Sequence, residues 1–142
     1  MPPDMLPPAF RNPPPSVPSL LRVAGMSRNT GPSLAVREIV RSRDGYACAR
    51  CGMRDGEHVL PRHQIHHRRP RGMGGTSRDD TNSPANLILL CAECHALIES
   101  YRVHAFAAGW LVRQGHDPAM TTLAYKGRPV LLTHDGQIQE CE

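Results

Sequence analysis

Aromatic side chains are scarce in this chain: one Trp, three Tyr and two Phe in 142 residues. A chain of that length buries one modest core, and with so few large apolar groups the core needs a cross-link to hold it. Lysine is all but missing, with Lys126 the single instance against sixteen arginines. The net charge is +4. Because guanidinium pairs bidentately with phosphate, an excess carried by arginine points to an anionic partner, nucleic acid first. An excess this small also fits a merely solvated surface. No apolar run approaches the roughly 18 residues of a membrane span. The stretch "MPPDMLPPAF" has neither the charged start nor the apolar centre of a secretion signal. The expectation is an intracellular, cytoplasmic protein. In that reducing compartment the five cysteines read as metal ligands or free thiols rather than disulfides.

Proline is abundant but confined, with nine of the fourteen in residues 1–33, in stretches such as "PPDMLPP" and "NPPPSVP". Helix and interior strand are both disfavoured there, so 1–33 reads as a disordered or polyproline-like arm. From Ser33 the pattern changes to "SLAVREIVRSRDG", a short amphipathic helix with Ser33 as N-cap and Gly45 as its end. In "NLILLCAECHALIESYRVHAFAAG", Leu87 to Leu90 predict a short buried strand. Residues from about Ala92 to Ala108 predict a helix ended by Gly109. Beyond it "WLV" and "PVLLTHDGQIQ" read as short strands, the second folded at Asp135-Gly136. The chain is thus α+β, with no internal repeat, a compact domain over 34–112 and a C-terminal strand extension over 113–142.

Cys48-x-x-Cys51 and Cys91-x-x-Cys94 are two knuckles, each offering two thiolates to one ion, and together they complete a tetrahedral four-sulfur structural zinc site. Such an ion clips the start of the domain to the start of its helix and loops out the stretch between. A redox role suits a single Cys-x-x-Cys better than two. The run "CAECH" also matches a c-type haem attachment motif, but that reading leaves Cys48 and Cys51 unexplained and needs a targeting segment. Cys141 has no partner in the pattern.

The stretch "IHHRRPRGMGG" sets His66 and His67 at the end of a plausible strand, "VLPRHQIHH". Asn86 immediately precedes the strand "LILL", His95 sits in the first helical turn after it, and Glu99 follows one turn later on the same face. The order is hairpin, then helix. The segments "CARCG", "HHRRPRGMGG", "SPANLILLCAECH" and "ALIES" resemble the HNH endonuclease family, over roughly residues 44–110. Small stand-alone members common in bacteriophage genomes look most similar, and the stretch "YRVHAFAAGWLV" belongs to that likeness.

The resemblance implies a ββα-metal fold and a metal-dependent endonuclease cutting double-stranded DNA to 5′-phosphate and 3′-hydroxyl ends. On the family's roles, His67 takes the position of general base and His66 and His95 those of ligands to the catalytic metal. Asn86 takes that of the central Asn, which braces the loop and orients the base. Glu99 is a further candidate ligand, against the reading of a solvent-facing helix charge. The ion would be magnesium or manganese, with zinc or nickel as alternatives. Because adjacent strand residues face opposite ways, a base and a ligand from one dipeptide suggest a distorted strand end.

The residue types suit the chemistry. Imidazole, with an unperturbed pKa near 6.5, takes a proton from water at neutral pH, and a divalent ion relieves charge on the scissile phosphate and the departing oxygen. Arg68, Arg69, Arg71 and Arg78 beside the dyad are candidates for phosphate-backbone contact, with Gly72, Gly74 and Gly75 allowing close approach. His58, His104, His116 and His134 receive no role, and His63, three residues before His66, reads either as an exposed residue or as a neighbour of the site. The phage-like resemblance further implies DNA processing or packaging with terminase or portal components. Alternatives are a restriction or homing nuclease and a non-catalytic zinc-finger DNA-binding module, against which the retained His67, Asn86 and His95 argue.

Overall fold

The computed structural model describes residues 31–56, 63–70 and 79–141. The proline-rich stretch 1–30, the strand's expected beginning at 59–62 and the loop 71–78 lie outside the described residues. His58, Arg71, Arg78 and the three loop glycines go with them.

Helix α1 spans Leu34–Arg43, and the Ser33 hydroxyl caps it by accepting from the Val36 amide at 3.2 Å. Its apolar stripe is thin. Only Val40 is buried, while Leu34 faces solvent. Asp44 follows, fully buried, and its carboxylate accepts from Arg43 Nε (2.8 Å), the Leu89 amide (2.9 Å) and Tyr125 Oη (3.0 Å). One carboxylate thus ties the end of α1 to two strands distant in sequence.

Strand β1 (Gln64–His67) pairs antiparallel with β2 (Leu87–Leu90), with Gln64 opposite Leu90 and His67 opposite Leu87. Every β2 side chain is buried, as an unbroken apolar run requires. Helix α2 (Ala92–Ser100) follows directly, with Cys91 as N-cap, and α3 (Arg102–Ala108) follows that. The single helix expected over 92–108 is therefore two. Tyr101 leaves the helical region at φ −123°, ψ 63°, with neither proline nor glycine at the break. Turning the chain there buries Ala105 and brings the Trp110–Val112 segment under the hairpin.

That segment is not the strand expected of "WLV". Its amides go elsewhere: Leu111 N–H donates to the Ala105 carbonyl (3.2 Å) and Val112 N–H to that of Arg68 (2.8 Å). The result is a buried loop, apolar because of what surrounds it. The C-terminal strands β3 (Leu123–Tyr125), β4 (Arg128–Leu132) and β5 (Ile138–Glu140) form an antiparallel sheet in that order. The turn expected at Asp135-Gly136 joins the last two. Strand β3 was not expected. Its turn into β4 is Lys126-Gly127, both at positive φ (48° and 87°), the twist a tight hairpin demands. Leu123, Tyr125, Val130 and Leu132 join Ile88, Leu90, Ile98 and Leu111 in one core, so these strands are built into the domain rather than hung on it.

Candidate active site

The sulfurs of Cys48, Cys51, Cys91 and Cys94 lie within 4.8 Å of one another. Sulfurs about 2.3 Å from a tetrahedral zinc stand about 3.8 Å apart, and Cys51 Sγ lies 3.9 Å from Cys91 Sγ. The first knuckle is held by Cys48 N–H to the Met53 carbonyl (2.9 Å) and is pinned to β2 by Ala49 N–H to the Leu89 carbonyl (2.7 Å). The second knuckle opens α2, where Cys91 Sγ accepts from the Cys94 amide at 3.5 Å. Burial pushes the thiols of Cys51 and Cys94 above their ordinary range, against the Arg50 guanidinium that donates to Cys94 Sγ at 3.4 Å. Burial also opposes ionisation of Cys48, but the N–H groups of Cys51, Cys91 and Arg50 outweigh it and lower that thiol. Four thiols crowded this closely suit a dication that holds them as thiolates.

The second cluster comprises His66, His95 and Glu99, whose ligand atoms also lie within 4.8 Å of one another. They line a cleft of about 270 Å³ together with Ile65, His67 and Pro70. His66 is buried, and its Nε2–H donates to the Trp110 carbonyl at 3.0 Å, which leaves the lone pair on Nδ1. Burial lowers its pKa to about 4, so at neutral pH the ring is in the uncharged form that binds metals. His95 is oriented the other way round: Nδ1–H donates to Gln64 Oε1 at 2.7 Å and the lone pair is on Nε2. The two rings meet edge to face, centroids 5.2 Å apart. Glu99 extends from the next turn of α2, half exposed, with one oxygen on Arg102 Nη1 at 2.9 Å. Two imidazoles held by outer partners and a carboxylate make a donor set that fits a divalent cation.

His67 lines the same cleft from a regular strand end. It keeps its register opposite Leu87, so alternation sends His66 inward beneath α2 and His67 outward, without the distortion expected there. Its Nε2–H donates to Asn82 Oδ1 at 2.9 Å, a partner that sequence reasoning missed. Nothing marks Asn82 in "DDTNSPAN" as different from an ordinary turn residue, because the contact spans a loop. Asn86 is fully buried: Oδ1 accepts from the Arg69 amide (2.7 Å), and Nδ2 donates to the carbonyls of Arg69 (3.2 Å) and Thr81 (2.8 Å). It clamps the start of one loop segment to the end of another.

The two arginines next to the dyad require a correction. Arg68 is fully buried, its guanidinium donating to the carbonyls of Gly109, Ala85, Pro118 and Thr121 at 2.8 to 3.0 Å. Burial lowers its pKa to about 9, which still leaves it charged at neutral pH. Arg69 is buried too, spent on the His116 carbonyl (2.8 Å) and on Asp80. Neither guanidinium is available to a phosphate. The reason is local: once β1 ends, the backbone of Arg68 and Arg69 is tied to Asn86, and both side chains are carried inward. Of the two readings of His63 the exposed one fails: the residue is buried, its Nε2–H on the Met53 carbonyl at 2.7 Å, and it lines a cleft together with His67.

A four-cysteine cluster and a histidine–carboxylate cluster, built on one hairpin, the turn before it and the helix after it, give a domain of mixed helix and sheet with two groups of residues that could hold metal ions. Residues 48–100, which contain both clusters, match the HNH endonuclease family, one of nuclease-type, DNA-directed function. No curated protein and no solved structure matches the chain. Among the described residues no helix is long and apolar enough to cross a membrane.

Proposed function

We propose that this protein is a metal-dependent endonuclease that hydrolyses DNA phosphodiester bonds, with β1, β2 and α2 as a ββα-metal site. The observation that carries the reading is the convergence of His66, His95 and Glu99 within ligand distance in a cleft that His67 also lines. His66 through Nδ1, His95 through Nε2 and Glu99 through a carboxylate oxygen would hold the ion, with magnesium or manganese the expected one. Bound there, a divalent cation supplies Lewis-acid charge to the scissile phosphate and the departing 3′ oxygen.

His67 is the general base. Its Nε2 meets Asn82 Oδ1, which orients the ring, and the imidazole takes the proton of the attacking water. As oxygen bonds to phosphorus the P–O3′ bond breaks and the departing O3′ takes a proton from solvent water, leaving a 5′-phosphate on one product and a 3′-hydroxyl on the other. Asn86 keeps the loops that flank the base in register. We take 34–112 as the nuclease unit, 113–142 as a strand extension packed into the same core, and 1–33 as a tether. A part in processing viral DNA, alongside terminase or portal components, rests on the resemblance to phage members alone.

The test is cleavage of supercoiled plasmid with magnesium or manganese, beside a chelator control and a His67→Ala variant shown to keep its zinc. Wild type should cut and the chelator should stop it. His67→Ala should cut about 100-fold or more slowly. Equal cutting by wild type and variant would remove His67 from the reaction. A protein that shifts DNA in a gel and never cuts it would be a binding module.

A further inference from the structure

His67 forms a wall of two clefts. One is the metal-ligand cleft; the other, of about 340 Å³, runs between α1 and β1 and is lined by Arg37, Arg41, His63 and Gln64. Arg37 and Arg41 are four residues apart on α1 and so share a face. No described residue lining this second cleft is acidic. Arg37 Nε donates to the Pro32 carbonyl at 3.1 Å, which anchors its head at the rim. Arg41 Nε is buried and has no hydrogen-bond partner among the described residues. Two guanidinium groups on one helix face, lining a cleft with no carboxylate among its described residues, suit phosphate oxygens.

We propose that the α1–β1 cleft seats the sugar–phosphate backbone of the DNA strand being cut, with Arg37 and Arg41 holding a phosphate that flanks the scissile one. The inference rests on the nuclease reading above and deepens it. A strand laid across His67 brings one phosphate to His66, His95 and Glu99 while its neighbour meets α1. Three other described arginines of this region are otherwise employed: Arg43 donates to the carbonyls of Pro84 and Leu87 and to Asp44, and Arg68 and Arg69 are bonded as described. Because the contact is to backbone, it carries affinity and register, not sequence.

The experiment is fluorescence anisotropy of a labelled DNA duplex with the zinc-replete full chain, without added magnesium or manganese, across a salt series. The variants are Arg37→Gln with Arg41→Gln, and Arg41→Lys, each checked by zinc content and thermal melt. The double variant should bind at least about tenfold more weakly, and its log affinity against log salt should flatten by about two phosphate contacts. Arg41→Lys should keep the slope and lose part of the affinity, because the charge remains and the planar fork does not. If the double variant does not fold, Arg41→Gln set against Arg41→Lys decides by the same slope criterion. An unchanged affinity and slope, tighter binding of RNA than of DNA, or no binding by wild type overturns the inference. Cleavage with magnesium, measured in parallel, separates the two claims. Cutting with an unaffected slope keeps the nuclease and discards the cleft. A lost slope with no cutting by wild type keeps the cleft and discards the nuclease.

Discussion

Arg68 shows how one side chain changes meaning between a sequence and a fold. In "HHRRPRG" it is an arginine among arginines beside a catalytic dyad, and phosphate contact is the natural reading. In the structure it donates to four carbonyls, from the β2 approach, the end of α3 and the segment before β3. It is a structural tie. Arg68→Met, of similar length without donors, should leave these buried acceptors unpaired and cost about 3 kcal/mol or more in a urea titration. A variant as stable as wild type but weaker on DNA would restore the phosphate role. The histidines behave differently. His66 and His95 were singled out together by the resemblance to the HNH family, and the fold brings their rings to 5.2 Å. The Asn82 contact with His67 was not legible, since it depends on how a loop returns to the strand.

Elements were legible where a local pattern sufficed. Ser33 and the apolar periodicity marked α1, the run "LILL" marked β2, and Asp135-Gly136 marked a hairpin turn. They failed where neighbours decided. The break at Tyr101 carries no breaker residue, and "WLV" has the composition of a strand but finds no strand partner for its amides. Gly109 was expected only to end a helix, and its position asks for more. It sits at φ 80°, and a Cβ there would lie 2.0 Å from the Thr122 carbonyl oxygen. Gly109→Ala therefore combines left-handed backbone strain with a backbone collision. It should lower Tm by more than about 10 °C in a thermal melt, and a near-wild-type melt would mean that this approach of α3 to β3 is looser than described.

At the scale of the molecule, the four cysteines join the turn before the hairpin to the helix after it, in a core with few large side chains. Structural zinc contributes on the order of 10 kcal/mol to small domains of this kind. Cys48→Ser or Cys91→Ser should therefore lose the zinc, measured by elemental analysis, together with near-ultraviolet dichroism and any cleavage, even with magnesium present. Cys141→Ser should change none of these. Full stability in Cys48→Ser would mean that the hydrophobic core alone holds the domain. The sequence by itself determined the chemistry available: four thiols in two knuckles, a histidine pair, an Asn before a strand and a helical histidine, in an order that a hairpin and a helix convert into geometry. Tertiary structure alone decided which arginines remain for a ligand, which Asn holds the base, and that β3 to β5 complete the core. Those outcomes depend on contacts between residues tens of positions apart, where burial and the search of each polar group for a partner override what the neighbouring letters suggest.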